Sequence, residues 1–290
     1  MKVVARDRLV LAGSREGIFR SEDGGRSWAA SSQGLKVPHV RWLTWHPEAE
    51  DLVLAGTEPA GIFISSDAGV TWSARPEVES LRDRFGWFLP YSAEAGCVRD
   101  FALNGRRVYA AVEVGGALRS DDLGDTWALC PGSSGRPEFS EPPQGQIHPD
   151  VHSIVGGHQS EDLAYAATGG GLYRSLDGGL TWTGSRVGTY CRAVWVDPSD
   201  SEHMIIGHAD SVSSMNGTIL ESVDGGVDWR DASAGLDLPW PDRMVERFCR
   251  VGDQLWAITD DGRAYSTKMT PIKWSRELDG LSGIESVAQI

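Results

Sequence analysis

One short pattern, repeated along the whole chain, restricts the fold more than any other feature of this sequence. The order Ser-x-Asp-x-Gly-x-x-Trp occurs five times, as Ser21-Asp23-Gly25-Trp28, Ser65-Asp67-Gly69-Trp72, Ser120-Asp122-Gly124-Trp127, Ser175-Asp177-Gly179-Trp182 and Ser222-Asp224-Gly226-Trp229. Small apolar runs lead into it, among them Gly17-Ile-Phe-Arg, Gly61-Ile-Phe-Ile, Gly116-Ala-Leu-Arg and Gly171-Leu-Tyr-Arg. One strand therefore ends at the Ser, the next begins at the Trp, and the motif is the hairpin turn between them. Its residue types suit that place: Asp accepts bonds from turn amides, Gly permits positive φ, and Trp buries a large ring between neighbouring sheets.

The motif tryptophans, with a degenerate sixth at Trp274, stand at 28, 72, 127, 182, 229 and 274, at intervals of 44, 55, 55, 47 and 45 residues. That is the period of a four-stranded propeller blade. The chain reads as all-β, a single six-bladed β-propeller of four-stranded blades, with 35 Gly and 14 Pro to supply tight turns. Blade one takes residues 1–34 plus 281–290, blade two 38–80, blade three 96–131, blade four 149–186, blade five 190–234 and blade six 243–280. Only three strands are recognisable before Gln33, and the tail 283–290 has the pattern of an inner strand with no strand after it. The expectation is that this C-terminal strand joins blade one and closes the ring, which removes a free sheet edge. The sixth turn, 266–274, has neither the Asp nor the Gly and is one residue longer, so a looser turn is expected there.

The repeat resembles the Asp-box, or bacterial neuraminidase repeat, of sialidase-like and glycosyl-hydrolase-like β-propellers, and the resemblance covers nearly the whole chain. It implies that the motif is a fold staple on the face opposite the usual ligand site. Sialidases share the blade number and hold their substrate's carboxylate with arginines. Their N-terminal Phe-Arg-Ile-Pro type motif is absent here, because Phe19-Arg20 runs straight into the first repeat without a Pro, and no Tyr and Glu nucleophile pair is assignable. The chain is not a sialidase by its motifs. Other propellers with this repeat are glycosidases, lyases, assembly factors or sorting receptors.

The formal net charge of -14 opposes long-range attraction to DNA or RNA, so no nucleic-acid partner is expected. No segment approaches the ~18 consecutive apolar residues of a membrane span, and the N-terminus lacks the apolar core of a signal peptide. A cytoplasmic protein without a membrane partner is the expectation. Cys97, Cys130, Cys191 and Cys249 lie far apart and form no Cys-x-x-Cys pair, which reads as buried free thiols.

Stacking the expected inner strands on their apolar pattern puts Arg41, Arg99, His152, Arg192, Arg247 and Glu285 in one column at the channel mouth. Planar guanidinium forks match carboxylate or phosphate, so the column points to an anionic ligand; the alternative is an internal salt-bridge network with neighbours such as Glu246, Asp100 or Glu285. The loops between second and third strands add Glu58 and Glu113, with His208 and Asp210 at the same place in blade five. Glu58, Glu113 and His152 are the candidate proton-transfer groups; the alternatives are that the two glutamates bind sugar hydroxyls or simply partner the arginines and that His152 is structural. In His148-Pro-Asp150-Val-His152 the polar side chains share one face of an extended strand. With His39, Glu113 or water as fourth ligand this is a metal-ligand pattern, but Pro149 bends the approach and three adjacent ligands are rare for zinc, so no metal is assigned and no cofactor is implied. Three long connections carry aromatics toward this face: Phe85, Trp87, Phe88 and Tyr91; Phe139; and Trp240. The expected function is binding, with hydrolase- or lyase-type turnover, of a small anionic or sugar-like molecule on Arg41, Arg99, Arg192, Arg247, Glu285, Asp150, His39 and His208. The alternative is a non-catalytic scaffold for a protein partner. The sequence leaves the oligomeric state open.

Overall fold

The computed structural model describes the whole chain apart from residues 158, 159 and 238. Among the described residues there are six four-stranded antiparallel sheets, each made of four strands consecutive in sequence, arranged as the blades of a six-bladed propeller. The inner strands are Val3–Arg6, Val40–Trp45, Cys97–Asn104, Val151–Gly157, Tyr190–Asp197 and Val245–Val251. From blade two to blade six, each inner strand packs on the next around the channel. No described helix is long and apolar enough to cross a membrane.

The core lies between blades. Leu11, Val40, Leu43, Phe63 and Trp72 fill the seam of blades one and two, and Leu54, Ile64, Val98, Leu118 and Trp127 that of blades two and three. Equivalent apolar clusters fill the seams from three to four, four to five and five to six.

The repeated turns explain their own sequence. In each, the Ser hydroxyl bonds the Asp carboxylate and takes the amide of the Gly, while the Asp oxygens collect one or two amides further on and, in every turn but that of Asp224, a hydroxyl as well. For Asp177 these donors are the amide and hydroxyl of Thr181, at 2.9 and 2.6 Å. The Gly and the residue before it both have positive φ, as at Gly178 (75°) and Gly179 (81°), which is why the fifth position never varies. In the sixth turn Ser266 bonds Glu277 and Thr267 takes the amide of Lys273, yet Trp274 is as buried as Trp182.

Blade one departs from expectation. Val3–Arg6 pairs with residues 9–12, so the inner edge of the second strand is already taken and the tail cannot join it. The tail instead runs as an extended segment between blade six and blade one. Ile284 N donates to Gly262 O and Gly252 N to Gln289 Oε1 on the side of blade six; Val3 N donates to Ser286 Oγ and the Met1 amino group to Glu285 on the side of blade one. The ring is closed by a wedge rather than by a shared sheet.

A helix, Pro76–Phe85, follows the outer strand of blade two and was not expected. Its signals are present in the sequence. Pro76 begins it, Glu77 and Glu79 occupy the first turn, Arg82 and Arg84 the last, and Gly86 caps it with φ of 66°.

Candidate functional site

The inner strands share a device that aims side chains at the channel. In blades two to six one extra residue bulges between two ladder pairs, for example between Val40–Thr57 and Trp42–Gly56. The bulged residues are Arg41, Arg99, His152, Arg192 and Glu246. A bulge turns its side chain out of the alternation, here toward the axis. This corrects the column in blade six, where the mouth position belongs to Glu246. Arg247 lies one step deeper, with its guanidinium 4.9 Å from the Trp42 ring and donating to Met1 O at 2.9 Å. Glu285 reaches the mouth through the wedge and not through a strand of blade one.

These groups are held by one another. Arg41 pairs with Glu58 at 2.8 Å, and His39 Nδ1 stands 3.8 Å from the same carboxylate. Arg99 pairs with Glu113 at 2.9 Å and with Glu246. Arg192 pairs with Glu246 at 3.3 Å and with Asp260 at 3.1 Å. Burial pushes the Glu246 carboxyl up, and Arg99, Arg192 and Arg247 outweigh it, leaving it at about 2. Asp100, one position past Arg99, is pushed up to about 6 by burial despite bonds from Ser153 and the Ile154 amide.

Above the ring opens a cavity of about 980 Å³ lined by Arg41, Arg99, Arg192, Glu113, Asp150, His39 and Glu285 among others. Five arginines and the Met1 amino group line it against seven carboxylates, so it is polar but not cationic. Tyr91 and Phe139 from the long connections, and Tyr190, form its aromatic walls. Trp87 and Trp240 do not: both are buried, and Trp240 stacks on Tyr265. His208 is also absent from the lining. Its Nδ1 bonds Thr218 Oγ1 at 2.9 Å and its Nε2 faces Arg186 at 3.3 Å, within its own blade and the connection before it. Glu58 sits behind Arg41, 5 % exposed. Sequence reasoning missed Tyr190, Asp260 and Asp261. The aspartates follow the second strand of blade six, as Glu58 follows that of blade two and Glu113 ends that of blade three, so the signal was available.

Glu113, Asp150 and His152 converge, each with a ligating atom within 4.8 Å of the others. His152 Nε2 approaches Asp150 Oδ2 at 3.2 Å, but neither ring nitrogen has an aligned hydrogen bond, and Asp150 Oδ1 has none. Burial raises the Asp150 carboxyl, and the adjacent His152 outweighs it, holding Asp150 below its usual range. His148 stands outside the cluster: its Nδ1 accepts the Asp150 amide at 3.2 Å, and Glu113 occupies the third place instead.

No protein-family signature matches the chain, and no curated protein matches it in sequence. Solved structures match the fold. The GH74 xyloglucanase from Xanthomonas campestris aligns with a TM-score of 0.70 and 16% identity over 96% of this chain and 45% of its own length. An ancestral GH74 enzyme aligns at 0.69 and 16%, over 96% and 39%. YCF48 from Cyanidioschyzon merolae aligns at 0.63 and 16%, over 93% of this chain and 82% of its own. The chain thus spans about two fifths of the GH74 enzymes, and what is common to all of these is the β-propeller.

Proposed function

We propose that the mouth cavity binds a neutral polyhydroxylated ligand, a short stretch of glycan. The carrying observation is the charge balance: of the arginines that suggested an anion, Arg41, Arg99 and Arg192 are spent on carboxylates and Arg247 on the Met1 carbonyl and the Trp42 ring, and what remains is a roomy polar cavity with aromatic walls at Tyr91, Phe139 and Tyr190. Sugars are recognised this way, through many hydrogen bonds to hydroxyls and stacking on ring faces. The resemblance in fold to GH74 enzymes agrees with this reading. Binding is favoured over turnover, because Glu58 and Glu113 act as ion-pair acceptors for Arg41 and Arg99, which suits a structural carboxylate better than a free acid.

A second reading, docking of an extended peptide in the same cavity, rests on one observation. The chain matches 82% of the length of YCF48, including a structure of YCF48 bound to D1 peptide, at a TM-score of 0.57.

One thermal-shift experiment separates these readings. A panel of neutral oligosaccharides, sugar acids and peptides is offered to the wild type and to Tyr91→Ala and Phe139→Ala. Stabilisation by neutral oligosaccharides, weakened at least tenfold in affinity in either variant, is expected. Stabilisation by peptides alone would transfer the site to the second reading, and a preference for sugar acids would restore the anionic one.

A further inference from the structure

We infer that Glu113, Asp150 and His152 form a binding site for a divalent transition-metal ion, Zn²⁺ or Mn²⁺, at the floor of the mouth cavity. Two elements build it. Glu113 ends the second strand of blade three, Arg107–Glu113, and Asp150 and His152 flank Val151 at the start of the inner strand of blade four. The bulge at His152 turns its imidazole toward the carboxylates of its neighbours.

The first observation is the donor set. One imidazole nitrogen and two carboxylates, with ligating atoms already within 4.8 Å of one another, match what borderline divalent ions accept. Around such an ion, with bonds of about 2.1 Å, donor atoms stand roughly 3 to 4 Å apart, so side-chain torsions alone complete the closure. The second observation is independent. His152 is 4 % exposed and neither ring nitrogen makes an aligned hydrogen bond, Nε2 meeting only the Asp150 carboxylate at 3.2 Å, and Asp150 Oδ1 has no partner. Buried polar atoms without a protein partner are met by an ordered water or an ion, and three of them converge here. A cation takes the imidazole lone pair and both carboxylates at once.

The surroundings permit the charge. Arg99 keeps Glu246 as its second partner when Glu113 turns to a metal, and the Tyr91 hydroxyl, 2.8 Å from Glu113 Oε2, supplies an orienting hydrogen bond behind the ligand. Glu113 and Asp150 line the cavity, so three protein ligands leave a coordination position open toward it. The inference stands without the glycan reading, since the ion is detected with no other ligand present.

The test uses the full chain, stripped with chelator and dialysed. Zn²⁺ and Mn²⁺ are titrated separately by calorimetry, and bound metal is counted by elemental analysis. About one equivalent per chain is expected, with a rise in melting temperature and at least a tenfold loss of affinity in Asp150→Asn and in Glu113→Gln. His152→Ala should lose the ion altogether; the two isosteric variants keep the test valid if the alanine variant fails to fold. No binding by the wild type overturns the inference. So does unchanged affinity in both isosteric variants, or selection of Ca²⁺ over both ions, because calcium does not select imidazole.

Discussion

At one end of the propeller, five blades close on the same Ser, Asp and backbone amides, each within a single turn of chain. At the mouth the blades depend on one another. Glu246 of blade six holds arginines from blades three and five, and Asp260 of blade six holds the arginine of blade five a second time. The difference separates two ways of using charge. A turn that satisfies itself is replaceable and repeats; a carboxylate shared by two blades makes their positions interdependent. Changes at the mouth should therefore cost much and couple to each other, and changes in the turns should cost little and add.

The largest expected effect lies at the mouth. Arg99→Ala leaves the buried Glu113 without its cation and Glu246 with Arg192 alone, and breaking such a pair costs about 3–5 kcal/mol. Urea unfolding of the variant reads this directly. Adding Glu113→Gln to Arg99→Ala should recover part of the loss, since the orphaned charge is gone. A loss under ~1 kcal/mol for Arg99→Ala, or simple additivity in the double variant, would remove the distinction between the two ends.

The next effect separates the ends by pH. Asp100 titrates at about 6 in the fold against an ordinary 3.8, so the folded state binds the extra proton between these values. Its contribution is fully present below the unfolded pKa and is lost as pH rises through about 6, a change of the order of 2–3 kcal/mol. The turn aspartates have the opposite sign. Asp67 is the clearest: burial raises its carboxyl, the bonds from Thr71 and Ser65 outweigh burial, and it is left at about 2. Its contribution is present above the ordinary carboxylate range and is lost as pH falls. Stability of Asp100→Asn measured from pH 4 to 7 should lack the fall that the wild type shows on this limb. An unchanged slope would mean that Asp100 is ordinary.

This division also marks what the sequence makes legible. The turn is local, so Ser175 to Trp182 announces itself, and five copies yield the blade number. The mouth depends on register and on partners far apart in the chain. The apolar pattern of blade six aligns one residue out of register, and because the bulge sits at that position, the sequence points to Arg247 where the structure has Glu246. Val3–Arg6 is only four residues long, with no motif of its own before it, so the tail has the more strand-like pattern of the two. Nothing local links Arg99 to Glu246, 147 residues away. The arginines and the carboxylates Glu58, Glu113 and Glu246 could be located from sequence, and which arginine each carboxylate holds could not.

The smallest effect tests redundancy in the turns. Asp177→Ala removes the acceptor for the amide and hydroxyl of Thr181 in an exposed turn whose Gly residues still adopt positive φ, so about 1 kcal/mol is expected from urea unfolding. Asp122→Ala should cost about the same, and the pair should add to within ~0.5 kcal/mol, because each turn satisfies only its own amides. Blade six already does without this arrangement and still buries Trp274, which argues that the indole between blades carries more of the seam than the Asp does. Strong coupling between the two turn variants would show instead that neighbouring turns brace each other, and the turn end would then resemble the mouth.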